Sequence, residues 1–193
     1  MKINFRGIYY HYWSNWVTRP VHEMIFAHFR EKFSYDEGAQ VLDLGCGTGF
    51  YEKVFKAANY RGVDLSNDCV EYGQRQGIDL YCADVTKTPF ESLSFDFLFC
   101  ANVVHHLDDA TIKGMLSEAK RLLRVGGQFV LYDIYRKEGQ SLILRLAHQL
   151  DFGAYVRELP QIEKLFEKDQ MFEKKIFSQF GIYDYYCMHF VKK

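Results

Sequence analysis

From Val41 onward, short apolar runs of strand length alternate with stretches whose apolar residues recur every three or four positions. The runs "QVLDLG", "YRGVDLS", "IDLYCADV", "SFDFLFCANVV" and "GGQFVLYDIY" read as strands. Between them, the residues from the glycine-rich turn to about Ala58, then "NDCVEYGQRQG" and "DDATIKGMLSEAKRLLR", read as helices. The last has Asp108 or Asp109 at its cap and Ile112, Met115, Leu116, Ala119 and Leu123 on one face. Such alternation predicts parallel βαβ units, and right-handed crossovers then require a doubly wound α/β sheet. Ahead of it, "TRPVHEMIFAHFREKF" has Thr18 as a cap, Pro20 in the first turn and Val21, Met24, Ile25, Phe29 and Phe33 at helical spacing.

In sheets of this kind, ligands bind beyond the carboxyl ends of the strands, beside the first one. The residues at those ends therefore carry the functional information. They are Asp43 with the glycine loop, Asp64 after the second strand, Asp84 after the third, and Asn102 to His106 after the fourth.

Composition narrows the class. The 193 residues contain no repeat, low-complexity tract or linker, so a single domain is expected. A net charge of −1, with acids and bases interspersed, lacks the basic footprint of a nucleic-acid partner. The five cysteines are odd in number and none is spaced C-x-x-C, which predicts reduced thiols and no metal. Neither a signal peptide nor an apolar run of membrane-spanning length is visible, and a cytoplasmic protein is expected. Seventeen Phe, fourteen Tyr and two Trp predict a densely aromatic core plus at least one aromatic-lined surface or cavity.

The loop "VLDLGCGTGF" excludes some ligands. A dinucleotide fingerprint, G-x-G-x-x-G, places its last glycine where Phe50 stands, and a P-loop lysine is missing. Asp43, two residues before Gly45, would repel a diphosphate. A ligand with a positive charge on that side makes Asp43 useful, directly or through water. Gly45, Gly47 and Gly49 permit close backbone approach, and a following helix N-terminus favours a carboxylate. Asp64 can accept hydrogen bonds from both hydroxyls of a ribose. Asp84 can accept from an adenine amine, with Leu65 and Val85 as apolar walls. An ammonium, a carboxylate, a ribose and a purine together describe S-adenosyl-L-methionine.

Taken in order, "VLDLGCGTG", "GVDLS", "ADVTKTPF", "FDFLFCANVVHHLDD" and "AKRLLRVGGQFVLYD" resemble the motifs of class I S-adenosylmethionine-dependent methyltransferases. The nearest subgroup is the ubiquinone-biosynthesis-like small-molecule enzymes. The resemblance runs from about Val41 to Asp133. It implies a Rossmann-like, mostly parallel seven-stranded sheet in a three-layer αβα arrangement, with "FEKKIFSQFG" and "YDYYCMHFVKK" as an antiparallel C-terminal hairpin. The domain then divides into an N-terminal helical lid (1–35), a cofactor-binding core (40–135), an acceptor-side helical cap (136–172) and the hairpin (173–193). The loop Gly45-Cys46-Gly47-Thr48-Gly49 would line the methionyl and ribose region. Asn102 and Val103 would lie against the cofactor, the Asn102 carbonyl meeting its ammonium. Tyr9, Tyr10, Trp13 and Arg19 are lid candidates, Arg19 to pair with the cofactor carboxylate.

Methyl transfer from a sulfonium is a displacement on an already activated electrophile, so alignment and exclusion of water provide much of the rate. A base is needed only when the acceptor must lose a proton. His105 and His106 are the candidates for that role, but a His pair is common here in family members with unrelated acceptors, which favours a structural or cofactor-packing role over a base. Tyr132, Asp133 and Tyr135 are second-rank candidates on the acceptor side. Leu142, Ile143, Leu146 and Leu150 form an apolar stripe that core packing accounts for; as a cap over the acceptor, the same segment and the aromatic N-terminus would favour a small, partly apolar acceptor. No Pro-Pro-Tyr or Pro-Cys follows the fourth strand, which argues against amino-methylation of adenine or glutamine and against cytosine carbon-5 chemistry. The alternatives are a catalytically inactive methyltransferase-like interaction module and an NAD-dependent oxidoreductase.

Overall fold

A computed structural model of the chain describes residues 19–137, 155–166, 172–180 and 184–193. Helix α1 (Arg19–Lys32) precedes β1 (Gln40–Leu44). A 3-10 turn (Phe50–Val54) leads to β2 (Asn59–Asp64), α2 (Asn67–Arg75) and β3 (Leu80–Cys82). Then follow β4 (Phe95–Ala101), a second 3-10 turn (Val104–His106), α3 (Asp109–Leu122) and β5 (Leu123–Ile134). Helix α4 (Leu159–Phe166) and the strands β6 (Phe172–Phe180) and β7 (Tyr185–Lys192) complete the described elements.

The seven strands form one sheet in the order β3-β2-β1-β4-β5-β7-β6. Strands β1 to β5 pair in parallel, whereas β7 runs antiparallel to both β5 and β6. The order reverses at β1, so the carboxyl ends of β1 and β4 flank the crevice in which such sheets take ligands.

Strand alternation divides the core in two. Leu98 and Cys100 of β4 face a cluster with Ile112, Met115 and Ala119 of α3 and Ile162 and Phe166 of α4. Phe97 and Phe99 face the opposite cluster, with Ile25, Phe26 and Phe29 of α1 and Val70 of α2. This second face holds much of the chain's aromatic content. Phe29 meets Phe55, Phe97 and Phe99 edge-on at 5.2, 5.7 and 5.7 Å between ring centres.

Three sequence expectations change. The helix expected after the glycine loop is a five-residue 3-10 turn, Phe50–Val54. Its hydrogen bonds span three residues, Glu52 to Gly49, Phe55 to Glu52 and Ala58 to Phe55, and this tight winding carries Tyr51 and Phe55 into the aromatic core. The favourable helix N-terminus expected there is therefore missing. Leu123 opens β5 instead of closing α3, and "IDLYCADV" keeps only Leu80–Cys82 as strand. Asp108 is the N-cap of α3, its Oδ1 accepting from the Thr111 amide at 2.8 Å. Residues Tyr9, Tyr10 and Trp13, and the stripe Leu142, Ile143, Leu146 and Leu150, lie outside the described residues.

Candidate functional site

The glycine loop is folded onto the end of β2. The amides of Gly45 and Cys46 both donate to the Val63 carbonyl, at 2.8 and 2.9 Å. Asp64 completes the attachment: Oδ2 accepts from the Gly47 amide and Oδ1 from the Ser66 amide, each at 2.8 Å. A carboxylate offers about four lone-pair sites, so these two bonds leave capacity for a diol. Gly45 has φ +76°, and a Cβ there would lie 2.4 Å from a methyl of Val103. Glycine is thus required at this point both by backbone conformation and by space.

At the end of β3, Oδ1 of Asp84 accepts from the amide and hydroxyl of Thr86, at 2.8 and 2.7 Å. At the end of β4, Asn102 adopts the left-handed conformation with φ 60°, which few residues other than glycine accept. Its side chain is tied on two sides. Oδ1 accepts from the Tyr185 hydroxyl at 2.6 Å, and Nδ2 donates to the Tyr51 hydroxyl at 3.4 Å. That hydroxyl lies 2.7 Å from Nδ1 of His22, whose pKa burial and then the nearby Lys53 charge lower to about 4.

These ends enclose a cavity of about 670 Å³. Of the residues singled out by sequence, Gly45, Gly47, Asp64, Leu65, Asp84, Val85, Asn102, Val103 and His106 line it. Asp43, Cys46, Thr48 and Gly49 lie behind it. Asp43 is 1% exposed and its Oδ2 accepts from the Tyr60 hydroxyl at 2.8 Å. Burial raises the Asp43 pKa to about 7, against the Tyr60 hydrogen bond and with help from the Asp64 charge. Gly49 faces Ile78 and Leu80. Arg19 is largely exposed at the start of α1, 4.0 Å from Glu23, and is not part of the cavity wall.

The two histidines separate. His105 is buried, with Nδ1 2.6 Å from Oδ1 of Asp133. Asp133, considered above for the acceptor side, is instead consumed within the fold. Its Oδ2 accepts from the amides of Val103 and His105 at 3.1 and 3.2 Å, and its Oδ1 also accepts from the Ile134 amide at 2.7 Å. Tyr132 and Tyr135 are likewise buried. His106, by contrast, is exposed and lines the cavity.

Ser66, Asp68, Cys69, Leu107 and Thr111 also line the cavity and were not anticipated. Their signal was positional. The first residues of the helices after β2 and β4 must border a crevice located beyond those strand ends.

The sheet order, with its parallel strands and antiparallel C-terminal pair, is that of the Rossmann-like methyltransferase fold. Residues 42–131 match the family described as "Methyltransferase domain". Over 97 residues it is 33% identical to probable tRNA methyltransferase 9B of Mus musculus, covering 49% of this chain and 22% of that protein. Over 107 residues it is 34% identical to a ubiquinone/menaquinone biosynthesis C-methyltransferase of Desulfotalea psychrophila, covering 51% and 43%. The chain thus spans less than half the length of these curated relatives. Geranyl diphosphate C-methyltransferase of Streptomyces coelicolor, solved with Mg2+, geranyl diphosphate and S-adenosyl-L-homocysteine, shares the fold, with a TM-score of 0.73 at 14% identity over 91% of this chain and 82% of that one. Among the described residues no helix is long and apolar enough to cross a membrane.

Proposed function

We propose that the chain transfers a methyl group from S-adenosyl-L-methionine to a small, partly apolar acceptor. One observation carries this reading: a single cavity brings Gly45, Gly47, Asp64, Asp84 and Asn102 together from the carboxyl ends of four strands. Gly45, a position without room for a Cβ, gives the cofactor a flat backbone floor. Asp64 is assigned to the ribose hydroxyls, Asp84 to the adenine amine, and Leu65 and Val85 to the faces of the ring, all four lining the cavity. The backbone carbonyl of Asn102, whose side chain is held by Tyr51 and Tyr185, is assigned to the ammonium. Asp43 acts at a distance, as a buried carboxyl behind the loop, and Cys46, Thr48 and Gly49 shape the loop from behind. The lid assigned to Tyr9 and Trp13, and the acceptor-side cap, complete the domain on this reading; Arg19, exposed beside Glu23, stands outside the cavity wall.

When bound, the cofactor supplies an activated methyl group. The protein's own contribution is to align the acceptor and keep water out. Of the two histidines, His106 takes the role of base or orienting group for an acceptor hydroxyl, while His105 holds the loop in place.

Calorimetric titration with S-adenosylhomocysteine, with NADH in parallel, tests the assignment. Binding of the former alone is expected. Binding of NADH alone would replace this reading with an oxidoreductase, and binding of neither by folded protein would favour an interaction module.

A nucleic-acid acceptor is the second reading, favoured by the tRNA methyltransferase among the relatives and by a groove carrying Lys113, Lys120 and Lys164. The net charge of −1 weighs against it. Including bulk tRNA in an acceptor screen separates the two.

A further inference from the structure

We infer that Arg157 is a positioning residue that ties the segment following β5 to the wall of the cavity. This rests on the methyltransferase reading above and extends it to a side chain that touches neither ligand. The Arg157 side chain is only 10% exposed. Its Nε and Nη2 donate to Oδ1 of Asp109 at 3.0 and 2.7 Å. Nη2 also donates to the Leu107 carbonyl at 2.8 Å, and Nη1 to the carbonyls of Tyr155 at 3.0 Å and Val104 at 3.4 Å. The main chain adds two bonds: the Tyr155 amide donates to the His105 carbonyl at 3.0 Å, and the Arg136 amide to the Arg157 carbonyl at 2.8 Å.

The carbonyls of Val104 and Leu107 bracket His106, and both His106 and Leu107 line the cavity. From the sheet side, Asp133 takes the amides of Val103 and His105. The loop after β4 is therefore held by its donors at Asp133 and by its acceptors at Arg157. A planar guanidinium with five donors can gather a carboxylate and three carbonyls at once, whereas an ammonium has three donors and no fixed fork. The positions of residues 155–158 and of the cavity-lining pair His106 and Leu107 are then mechanically one. A ligand pressing on that pair is felt at Arg157, and a shift of residues 155–158 is felt at the cavity wall.

The test is amide hydrogen exchange on the full chain, with and without S-adenosylhomocysteine, alongside calorimetric affinity. In the wild type, the ligand is expected to slow exchange at Tyr155 and Arg136, which lie outside the cavity. Arg157→Gln and Arg157→Lys, shown to be folded by circular dichroism, are expected to lose that protection and to bind about tenfold more weakly, the usual size of such couplings. A purely structural role would lower thermal stability and leave the protection intact. Asp109→Ala removes one partner of the fork and is expected to show a partial loss; it decides the matter if both Arg157 variants fail to fold. Wild-type affinity and protection in the folded variants overturn the inference and leave the cofactor assignment standing. Failure of the wild type to bind S-adenosylhomocysteine overturns that assignment, and the inference with it.

Discussion

Oδ2 of Asp64 accepts the Gly47 amide at 2.8 Å, so the residue assigned to the ribose is also the residue that shapes the glycine loop. On the proposed reading, the ribose contact and the loop geometry are joined in one carboxylate. Asp64→Ala is accordingly expected to weaken S-adenosylhomocysteine binding by about 10- to 100-fold, the loss of one or two hydrogen bonds to a charged group. Calorimetry on the folded variant checks this.

Gly45 offers a sharper separation of causes. In Gly45→Ala, the new Cβ would lie 2.4 Å from a Val103 methyl, in a backbone at φ +76°. A loss of about 1–3 kcal/mol is expected from strain and crowding together. Adding Val103→Ala removes the crowding and leaves the strain, so the double variant should recover part of the lost melting temperature. Full recovery would assign the whole cost to crowding.

The histidine pair predicts opposite phenotypes. His105→Ala leaves the buried Asp133 without its ring partner and is expected to cost about 1–3 kcal/mol of stability. His106→Ala should melt within about 0.5 kcal/mol of wild type, as exposed substitutions do. If the acceptor is a hydroxyl, His106→Ala lowers kcat by about 10²- to 10⁴-fold. Thermal melts and turnover with an identified acceptor test both halves.

Asp43 gives a signature in pH. Its carboxyl titrates near 3.8 when unfolded and near 7 when folded. Between those values the folded protein keeps a proton that the unfolded chain has released, so this group makes stability fall as pH rises from about 4 to about 7. Asp43→Asn should flatten that slope in denaturant titrations run at several pH values, and a slope identical to wild type would contradict the assignment.

Glu118 has the reverse sign. Burial alone would raise its pKa, but hydrogen bonds from Arg121 and from Thr88 lower it from 4.5 to about 2. Its contribution is complete above 4.5 and is lost as pH falls toward 2. Glu118→Gln should therefore destabilise the protein at pH 7, by about 1–3 kcal/mol, and much less at pH 2.

The legible part of this molecule was whatever repeats or stands at a strand end. An unbroken apolar run marked β4, where Phe97 and Phe99 face one core cluster and Leu98 and Cys100 the other. Asp64, Asp84 and Asn102 could be placed because a doubly wound sheet fixes where its strand ends open. Partnerships across the chain were not legible. Nothing in the local sequence says that Asp133 closes on His105, 28 positions away, or that Arg157 reaches Val104 across 53. The turn after the glycine loop was misread for a related reason. Tyr51 and Phe55 have helical spacing, yet the aromatic cluster that they enter is assembled from α1, β2 and β4, and the backbone there winds as a 3-10 turn.

The adjacent histidines also bear on how this chain can be diversified. A library of all residues at position 105 would be filtered by survival of the fold, since that side chain closes on a carboxylate in the interior. A library at position 106 would be filtered by what enters the cavity. Two neighbouring codons thus answer to two different selections, and only the second can change the cavity wall at little structural cost.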